Sequence, residues 1–137
     1  MIQQFEMVVK AAGDGSRVRI LKMLEGGELC VCQVTTVLDL APATVSKHLS
    51  VLKLAGLVMQ RKEGRWVYYR LADRALNPYA LPLLKTIRET LVEDPTIETD
   101  RVRLERLRCI PVDVLCAEGA KVLESSKTEP AASGAEA

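Results

Sequence analysis

Four cysteines are the residues of this sequence with the most distinctive chemistry. Cys30 and Cys32 form a C-x-C pair, and Cys109 and Cys116 follow much later in the chain. Cysteines in a chain that shows no export signal are expected to be reduced, and reduced thiolates are ligands for soft metal ions. The four thiols are therefore candidate metal ligands, with two small buried residues as the alternative for the C-x-C pair and ordinary packing beside Leu115 as the alternative for Cys116.

The spacing of the C-x-C pair limits how it can bind. Residues at positions i and i+2 of an undistorted helix point about 200° apart. Cys30 and Cys32 would therefore reach one ion only where the helix is frayed or unwound. Gly26 and Gly27 place the pair at a helix start, where unwinding costs least. We expect a bound ion to hold this helix start in a geometry that the free form does not prefer, and to shift the following helix with it.

A second group of residues is basic and indicates nucleic acid. The chain has a net charge of only +1, but residues 41–74 hold seven Lys or Arg against two acidic residues, an excess of five. A basic patch on a nearly neutral protein is typical of a DNA-binding surface. His48 is interpreted as either structural or phosphate-contacting. The candidate DNA-contacting residues are Thr44, Ser46, Lys47, His48, Ser50, Lys53, Arg61, Lys62 and Arg65.

The stretch from Ala41 to Gly56 has the features of a helix that reads DNA. Pro42 suits the first turn of a helix, and Gly56 suits the position just past its end. The residues expected to pack inward recur at positions i, i+4 and i+7: Val45, Leu49 and Leu52. The opposite face is short, polar and cationic, which allows a helix to lie deep in a major groove.

The neighbouring segments predict a winged helix-turn-helix. Helical periodicity predicts helices over 2–12, over 16–27 with Asp14 or Ser16 as cap, and over 28–40, directly before the DNA-reading helix. Strands over 57–62 and 65–71, joined by a turn containing Gly64, predict a β-hairpin with a charged tip. Trp66, Tyr68 and Tyr69 are interpreted as hairpin packing. The fold class is mainly α with a β-hairpin wing.

The rest of the chain is predicted to be helical and then disordered. A helix precedes Asp94, a mostly exposed helix with a solvated Arg and Glu face follows over 96–109, and Pro111 begins another. Residues 125–137 have almost nothing to bury. We therefore expect a DNA-binding and dimerisation domain over 1–95, a C-terminal helical arm over 96–124, and a disordered tail over 125–137.

These motifs resemble the ArsR/SmtB family of metal-responsive winged-helix repressors, over roughly Phe5 to Leu91. The resemblance rests on ELCVC at 28–32, TVSKHLSVLKLAGLV at 44–58 and KEGRWVYYRL at 62–71. It implies a homodimer that binds a palindromic operator and releases it when an inducing ion binds, which switches on detoxification genes. It also implies that Cys30 and Cys32 are the paired thiolates of arsenic-, cadmium- or lead-responsive members.

The sequence departs from the known patterns of that family. Thr35 stands where the arsenic-type motif often has a third cysteine, and no cysteine precedes Cys30 as in the cadmium type. The Asp and His ligands of zinc-sensing members are absent, because His48 is the only histidine and lies in the DNA-reading helix. Trivalent arsenic takes three sulfurs in a pyramid, as the resemblance implies, so a further thiolate is required. Cys109, before the break at Pro111, is predicted over Cys116 and could come from the other subunit.

The leading prediction is a repressor induced by As(III), or less favourably by Sb(III). The alternatives are a repressor that senses cadmium, lead or another soft divalent cation through four thiolates, and a thiol redox or persulfide switch of the same fold. Dimerisation is predicted through 2–12 and 81–93. One histidine, no paired carboxylates on an apolar face and no glycine-rich phosphate loop argue against an enzyme. No apolar run is long enough to cross a bilayer, and the first residues do not resemble a leader, so we expect no membrane partner and a cytoplasmic location.

Overall fold

Ten short elements follow one another in the computed structural model, which describes residues 1–118. The helices are α1 (Ile2–Ala12), α2 (Gly15–Leu24), α3 (Val31–Leu38), α4 (Pro42–Leu54), α5 (Ala80–Arg88), α6 (Pro95–Leu107) and α7 (Val112–Glu118), and the strands are β1 (Leu29–Cys30), β2 (Val58–Glu63) and β3 (Trp66–Leu71). Within residues 1–118, no helix has the length and apolar character needed to cross a membrane. The mainly helical fold with a hairpin wing that the sequence predicted is confirmed.

Helices α3 and α4 form the helix-turn-helix. Asp39 ends α3 in the left-handed conformation at φ 55°, which Asp tolerates better than most residues because its short side chain bonds locally. Pro42 occupies the first turn of α4 as predicted. The predicted inward face of α4 is fully buried, at Val45, Leu49 and Leu52. The opposite face of α4 is therefore left to solvent.

The turn after α4 requires glycine at position 56. Gly56 has φ +79°, a conformation that is costly for residues with a Cβ. A Cβ there would also stand 3.1 Å from the Cβ of Asn77 and 3.2 Å from the Cβ of Leu76. Gly56 therefore fixes the backbone conformation of the turn that connects α4 to the hairpin.

The wing is one part of a three-stranded antiparallel sheet with the order β1-β3-β2. Glu63 pairs with Trp66 at the end of the hairpin, and Gly64 makes the turn at φ 62°. On the other side of β3, Leu29 pairs with Tyr69 and Cys30 pairs with Tyr68. The sequence predicted the hairpin but not β1, so the segment just before α3 is attached to the wing by main-chain pairing.

Helix α6 packs one face on α2 and α3, while more than half of its residues are exposed as predicted. Leu104 and Leu107 are buried, and Asp100 is only 2% exposed. Both carboxylate oxygens of Asp100 accept hydrogen bonds of 2.8 Å from the guanidinium of Arg19 in α2. The sequence did not predict this buried face, where the Asp100 carboxylate is balanced by a cation 81 residues earlier. The opposite face, with Arg101 between Glu98 and Glu105, is exposed as predicted.

The chain turns back after α6, so that α7 reaches α3. Leu115 is fully buried and docks α7, while its neighbour Val114 is 38% exposed. The predicted boundary after residue 95 falls close to the start of α6. The predicted arm continues beyond the described residues, and the predicted tail over 125–137 lies outside them.

Candidate metal centre and nucleic-acid interface

Cys30 is positioned by a strand on one side and by a helix start on the other. It is the last residue of β1 and the N-cap of α3, with an extended backbone at φ −76° and ψ 148°. Its backbone N–H donates a 2.9 Å hydrogen bond to Oε1 of Gln33. Since Cys30 lies outside the helix and Cys32 within its first turn, no unwinding is needed for the two thiols to converge. The expectation of a distorted helix is wrong, because the 200° separation holds only between two helical residues.

Cys116 joins this pair from the C-terminal side. The Sγ atoms of Cys30, Cys32 and Cys116 all lie within 4.8 Å of one another. Cys32 and Cys116 are joined by a disulfide, with 5.3 Å between their Cα atoms and 84 residues between them in the chain. Cys30 is a free, buried thiol. The expectation of reduced thiols thus fails for two of the four cysteines, since the docking of α7 brings them into contact.

Cys109 does not belong to this cluster. It is a free, exposed residue in the turn between α6 and α7. The preference for Cys109 over Cys116 therefore disagrees with the geometry. Packing beside Leu115 was the alternative to a ligand role for Cys116, whereas burial of Leu115 is what carries Cys116 to α3. The third sulfur of the cluster belongs to the same chain as the other two.

Three thiols at this separation can act in two chemical ways. In the reduced form they offer three soft sulfur ligands with no oxygen or nitrogen ligand among them. For scale, two sulfurs on one tetrahedral zinc ion, each about 2.3 Å from the metal, are about 3.8 Å apart. In the oxidised form two of the thiols are consumed by the disulfide. Thr35 contributes nothing to either form, since its hydroxyl donates to the carbonyl of Val31 at 2.8 Å.

The outward face of α4 is open to solvent along its length. Thr44, Ser46, Lys47 and Ser50 are exposed on it. Lys53 is exposed too, but its Nζ donates a 2.6 Å hydrogen bond to Oε1 of Gln60 in the wing. The side chains are short at the start of the helix and cationic further along, an arrangement that suits a major groove.

His48 is held by a contact inside the protein. Its Nδ1 lies 3.2 Å from Nη1 of Arg17, whose Nε donates to the carbonyl of Ala11 at 2.6 Å. The guanidinium can only donate, so Nδ1 of His48 is the acceptor in this contact. Of the two interpretations of His48, this geometry favours the structural one.

The three basic residues of the wing are in different surroundings. Lys62 and Arg65 are exposed near the tip, and the guanidinium of Arg65 stacks 4.6 Å from the centre of the Trp66 ring. Arg61 instead forms ion pairs with Glu28 and Glu63. Hydrogen bonding to these carboxylates raises the pKa of Arg61, and the Arg61 guanidinium lowers the pKa of Glu28.

Comparison with known proteins identifies the class to which this arrangement belongs. A family described as bacterial regulatory proteins of the arsR family matches residues 14–59. An uncharacterised HTH-type transcriptional regulator from Methanocaldococcus jannaschii is 46% identical over 67 residues, which are 48% of this chain and 75% of that one. The chain belongs to the ArsR family. Members of this family are DNA-binding transcriptional regulators.

Two named resistance regulators are similar to this ArsR-family protein over a shorter share of their length. The arsenic resistance transcriptional regulator ArsR1 of Pseudomonas putida is 46% identical over 66 residues, 47% of this chain and 52% of that one. A cadmium resistance regulatory protein, a CadC homologue of Staphylococcus aureus, is 48% identical over 67 residues, 48% of this chain and 55% of that one. The matched segments thus span about half of each regulator.

Solved structures of the ArsR type share the fold. HlyU from Vibrio cholerae has a TM-score of 0.56 at 28% identity and covers 65% of this chain and 92% of its own. The homodimeric winged helix-turn-helix domain of a Mycobacterium bovis regulator has a TM-score of 0.55 at 33% identity and covers 64% of this chain and 78% of its own. The predicted winged helix-turn-helix of the ArsR type is thereby confirmed.

Sequence reasoning gave no role to one residue of the ELCVC motif, Glu28. Its carboxylate accepts two hydrogen bonds from Arg61, 33 residues later in the chain. No local pattern marks such a pair, because a Glu after two glycines is typical of an ordinary solvated residue. The nearest signal was the position of Glu28, two residues before the predicted ligand Cys30.

Proposed function

We propose that this ArsR-family protein is a transcriptional repressor that binds operator DNA as a homodimer and releases it on binding arsenite, or antimonite, through three thiolates. The ligands are Cys30, Cys32 and Cys116 in their reduced form. The observation that carries the proposal is the convergence of these three sulfurs at the start of α3, the first helix of the helix-turn-helix. The site thus lies at the start of the helix that precedes, across one short turn, the helix proposed to read DNA.

The number of sulfurs favours a trivalent metalloid over a divalent ion. A tetrahedral site of the cadmium or lead type requires a fourth thiolate, and Cys109 is outside the cluster. A pyramidal ion with three sulfur ligands needs nothing beyond what the cluster offers. The cadmium alternative remains the runner-up among ions, since a cadmium resistance regulator is among the similar proteins.

The DNA-binding surface consists of the outward face of α4 and the tip of the wing. Thr44 and Ser46 would reach base edges, while Lys47 would neutralise a phosphate. Exposure of these side chains and burial of the opposite face support this assignment. The remaining proposed contacts are Ser50, Lys53, Lys62 and Arg65, whereas the candidates His48 and Arg61 are held by contacts within the protein.

A homodimer is supported by an apolar stripe on α1. Ile2, Phe5 and Val9 follow one another at i, i+3 and i+7, and they are 81%, 51% and 44% exposed. Phe5 packs edge-on against Tyr79, with 5.4 Å between ring centres, next to the start of α5. This places the exposed stripe beside α5, the second helix predicted to mediate dimerisation. A palindromic operator would then be contacted by two wings and two copies of α4.

The disulfide favours a second candidate function, a thiol redox switch. A hydroperoxide would accept two electrons from the pair: the thiolate of Cys32 or Cys116 attacks its O–O bond, which gives a sulfenic acid and releases hydroxide or alkoxide. The second thiol then displaces water or hydroxide to form the S–S bond that the structure contains. This candidate requires that oxidation, with no metalloid present, releases operator DNA.

One experiment separates these functions. Operator binding is measured by mobility shift, with the protein reduced by a phosphine, since a dithiol reductant would bind arsenite. Parallel titrations use arsenite, antimonite, cadmium and hydrogen peroxide. We expect arsenite to release DNA from the wild type. Cys116→Ser should raise the arsenite concentration needed at least about tenfold, because a sulfur ligand is lost.

Cys109→Ser is the matched control, since it removes a thiol from the same segment but outside the cluster. It should respond like the wild type. Equal responses of Cys116→Ser and the wild type would exclude Cys116 as a ligand. Release by peroxide with none by arsenite would replace the metalloid sensor with the redox switch, and release by cadmium alone would favour the runner-up ion.

A further inference from the structure

The ligand Cys30 is also a residue of the wing sheet. In β1 it pairs with Tyr68 of β3, while its side chain faces Cys32 and Cys116. A displacement of Cys30 on ligand binding is therefore passed to β3 through main-chain pairing, with no intervening loop. The wing is connected to the thiol cluster independently of the route through α3 and α4.

Arg61 strengthens this connection from the other hairpin strand. Its Nε donates to Oε2 of Glu28 at 3.0 Å and its Nη2 to Oε1 at 2.7 Å, a two-point contact with the residue that precedes β1. Its Nη1 donates to Glu63, and its guanidinium lies 4.7 Å from the centre of the Tyr68 ring. We refer to Glu28, Arg61, Glu63 and Tyr68 as the wing clamp.

The charges of the wing clamp oppose a phosphate contact by Arg61. One guanidinium faces two carboxylates, so the cluster carries a net charge of −1, and each of its three nitrogens donates to a carboxylate oxygen. Lys62 and Arg65 differ, since the ion pairs found within residues 1–118 include neither of them. On the wing, the cations available to contact a phosphate are therefore Lys62 and Arg65 near the tip, and not Arg61.

We propose that Glu28 and Arg61 couple the thiol cluster to the orientation of the wing, with Arg61 acting as a positioning residue and not as a DNA contact. This rests on the proposed function, because it assigns part of the inducer response to the wing. Ligand binding at Cys30 shifts β1, Glu28 moves with β1, and Arg61 transfers the movement to the wing.

The two possible roles of Arg61, phosphate contact and positioning residue, predict different effects when Glu28 is neutralised. If Arg61 contacted phosphate, Glu28→Gln would release it from its partner and tighten operator binding. If Arg61 is part of the clamp, Glu28→Gln gives no tighter binding and instead weakens the response to arsenite. Arg61→Gln should then weaken that response by the same factor, and the double variant should be no worse than either single variant.

The test compares the ratio of operator Kd values with and without arsenite, measured by fluorescence anisotropy. We expect Glu28→Gln and Arg61→Gln each to reduce this ratio by about 2- to 30-fold, the range seen when coupling residues are changed. The matched control is Glu98→Gln, which loses a similar two-point contact with Arg101 on the exposed face of α6. It should leave the ratio unchanged.

A salt titration without arsenite decides the role of Arg61 separately. Each phosphate contact contributes about 0.9 to the slope of log K against log salt. Lys62→Gln should lower the slope by this amount, whereas Arg61→Gln should not. A lower salt slope for Arg61→Gln together with tighter operator binding by Glu28→Gln would overturn the proposal. The proposal would also be overturned if both variants kept the wild-type ratio of operator Kd values with and without arsenite. If arsenite fails to release the wild type, the proposed function is what fails, and the salt titration still tests the clamp.

Discussion

Leu115→Ala tests whether packing of α7 delivers the third ligand. Leu115 is fully buried, and truncating such a leucine costs about 2.7–5 kcal/mol. A change of about 1.4 kcal/mol is a factor of ten in an equilibrium constant, so the docked fraction, meaning the fraction of molecules with α7 packed against α3, can fall by about 100-fold or more. Only the docked form presents Cys116 to Cys30 and Cys32. The apparent affinity for arsenite falls with that fraction, so we expect at least about a tenfold higher arsenite concentration for half-maximal release.

The assay is operator release in phosphine-reduced protein, where no disulfide can hold α7 in place. Val114→Ala is the matched control, because Val114 is the neighbouring residue of α7 and is 38% exposed. Its response should shift by less than about threefold, as for a surface substitution. The urea midpoint without arsenite should change little in both variants, since α7 undocks locally. A wild-type arsenite response of Leu115→Ala would refute the claim that this packing builds the site.

Two further predictions concern the DNA-binding surface and the dimer. Lys47→Ala should weaken operator binding and lower the salt slope by about 0.9; an unchanged slope would remove Lys47 from the interface. Phe5→Glu places a charge on the exposed stripe of α1, so light scattering should show the monomer mass at micromolar concentrations where the wild type is a dimer. A dimeric Phe5→Glu with unchanged operator affinity would place the dimer interface elsewhere.

Local patterns in the sequence were sufficient to predict much of the fold. Helix α1 spans 2–12 as predicted, and Asp14 caps α2 by accepting from the backbone N–H of Arg17. The buried stripe of α4 and the hairpin turn at Gly64 also agree with the prediction. Each of these features depends on residues within a few positions of one another, where helical periodicity, capping and turn chemistry act.

The features that were missed depend on residues far apart in the chain. Strand β1 has only two residues and exists because β3 pairs with it. Asp100 reads as one more charge on a solvated face until Arg19 is placed beside it. The geometry disagrees with the preference for Cys109 for the same reason, since the docking of Leu115 determines which thiol reaches α3. Spacing along one helix carries no information about that contact.

The central claim is that three protein sulfurs surround one metalloid ion. X-ray absorption at the arsenic edge, on phosphine-reduced protein with one equivalent of arsenite, counts those sulfurs directly. We expect three sulfurs and no oxygen for the wild type and for Cys109→Ser, and two sulfurs with one oxygen for Cys116→Ser. Three sulfurs retained in Cys116→Ser, or two in the wild type, would contradict the site assembled by Cys30, Cys32 and Cys116.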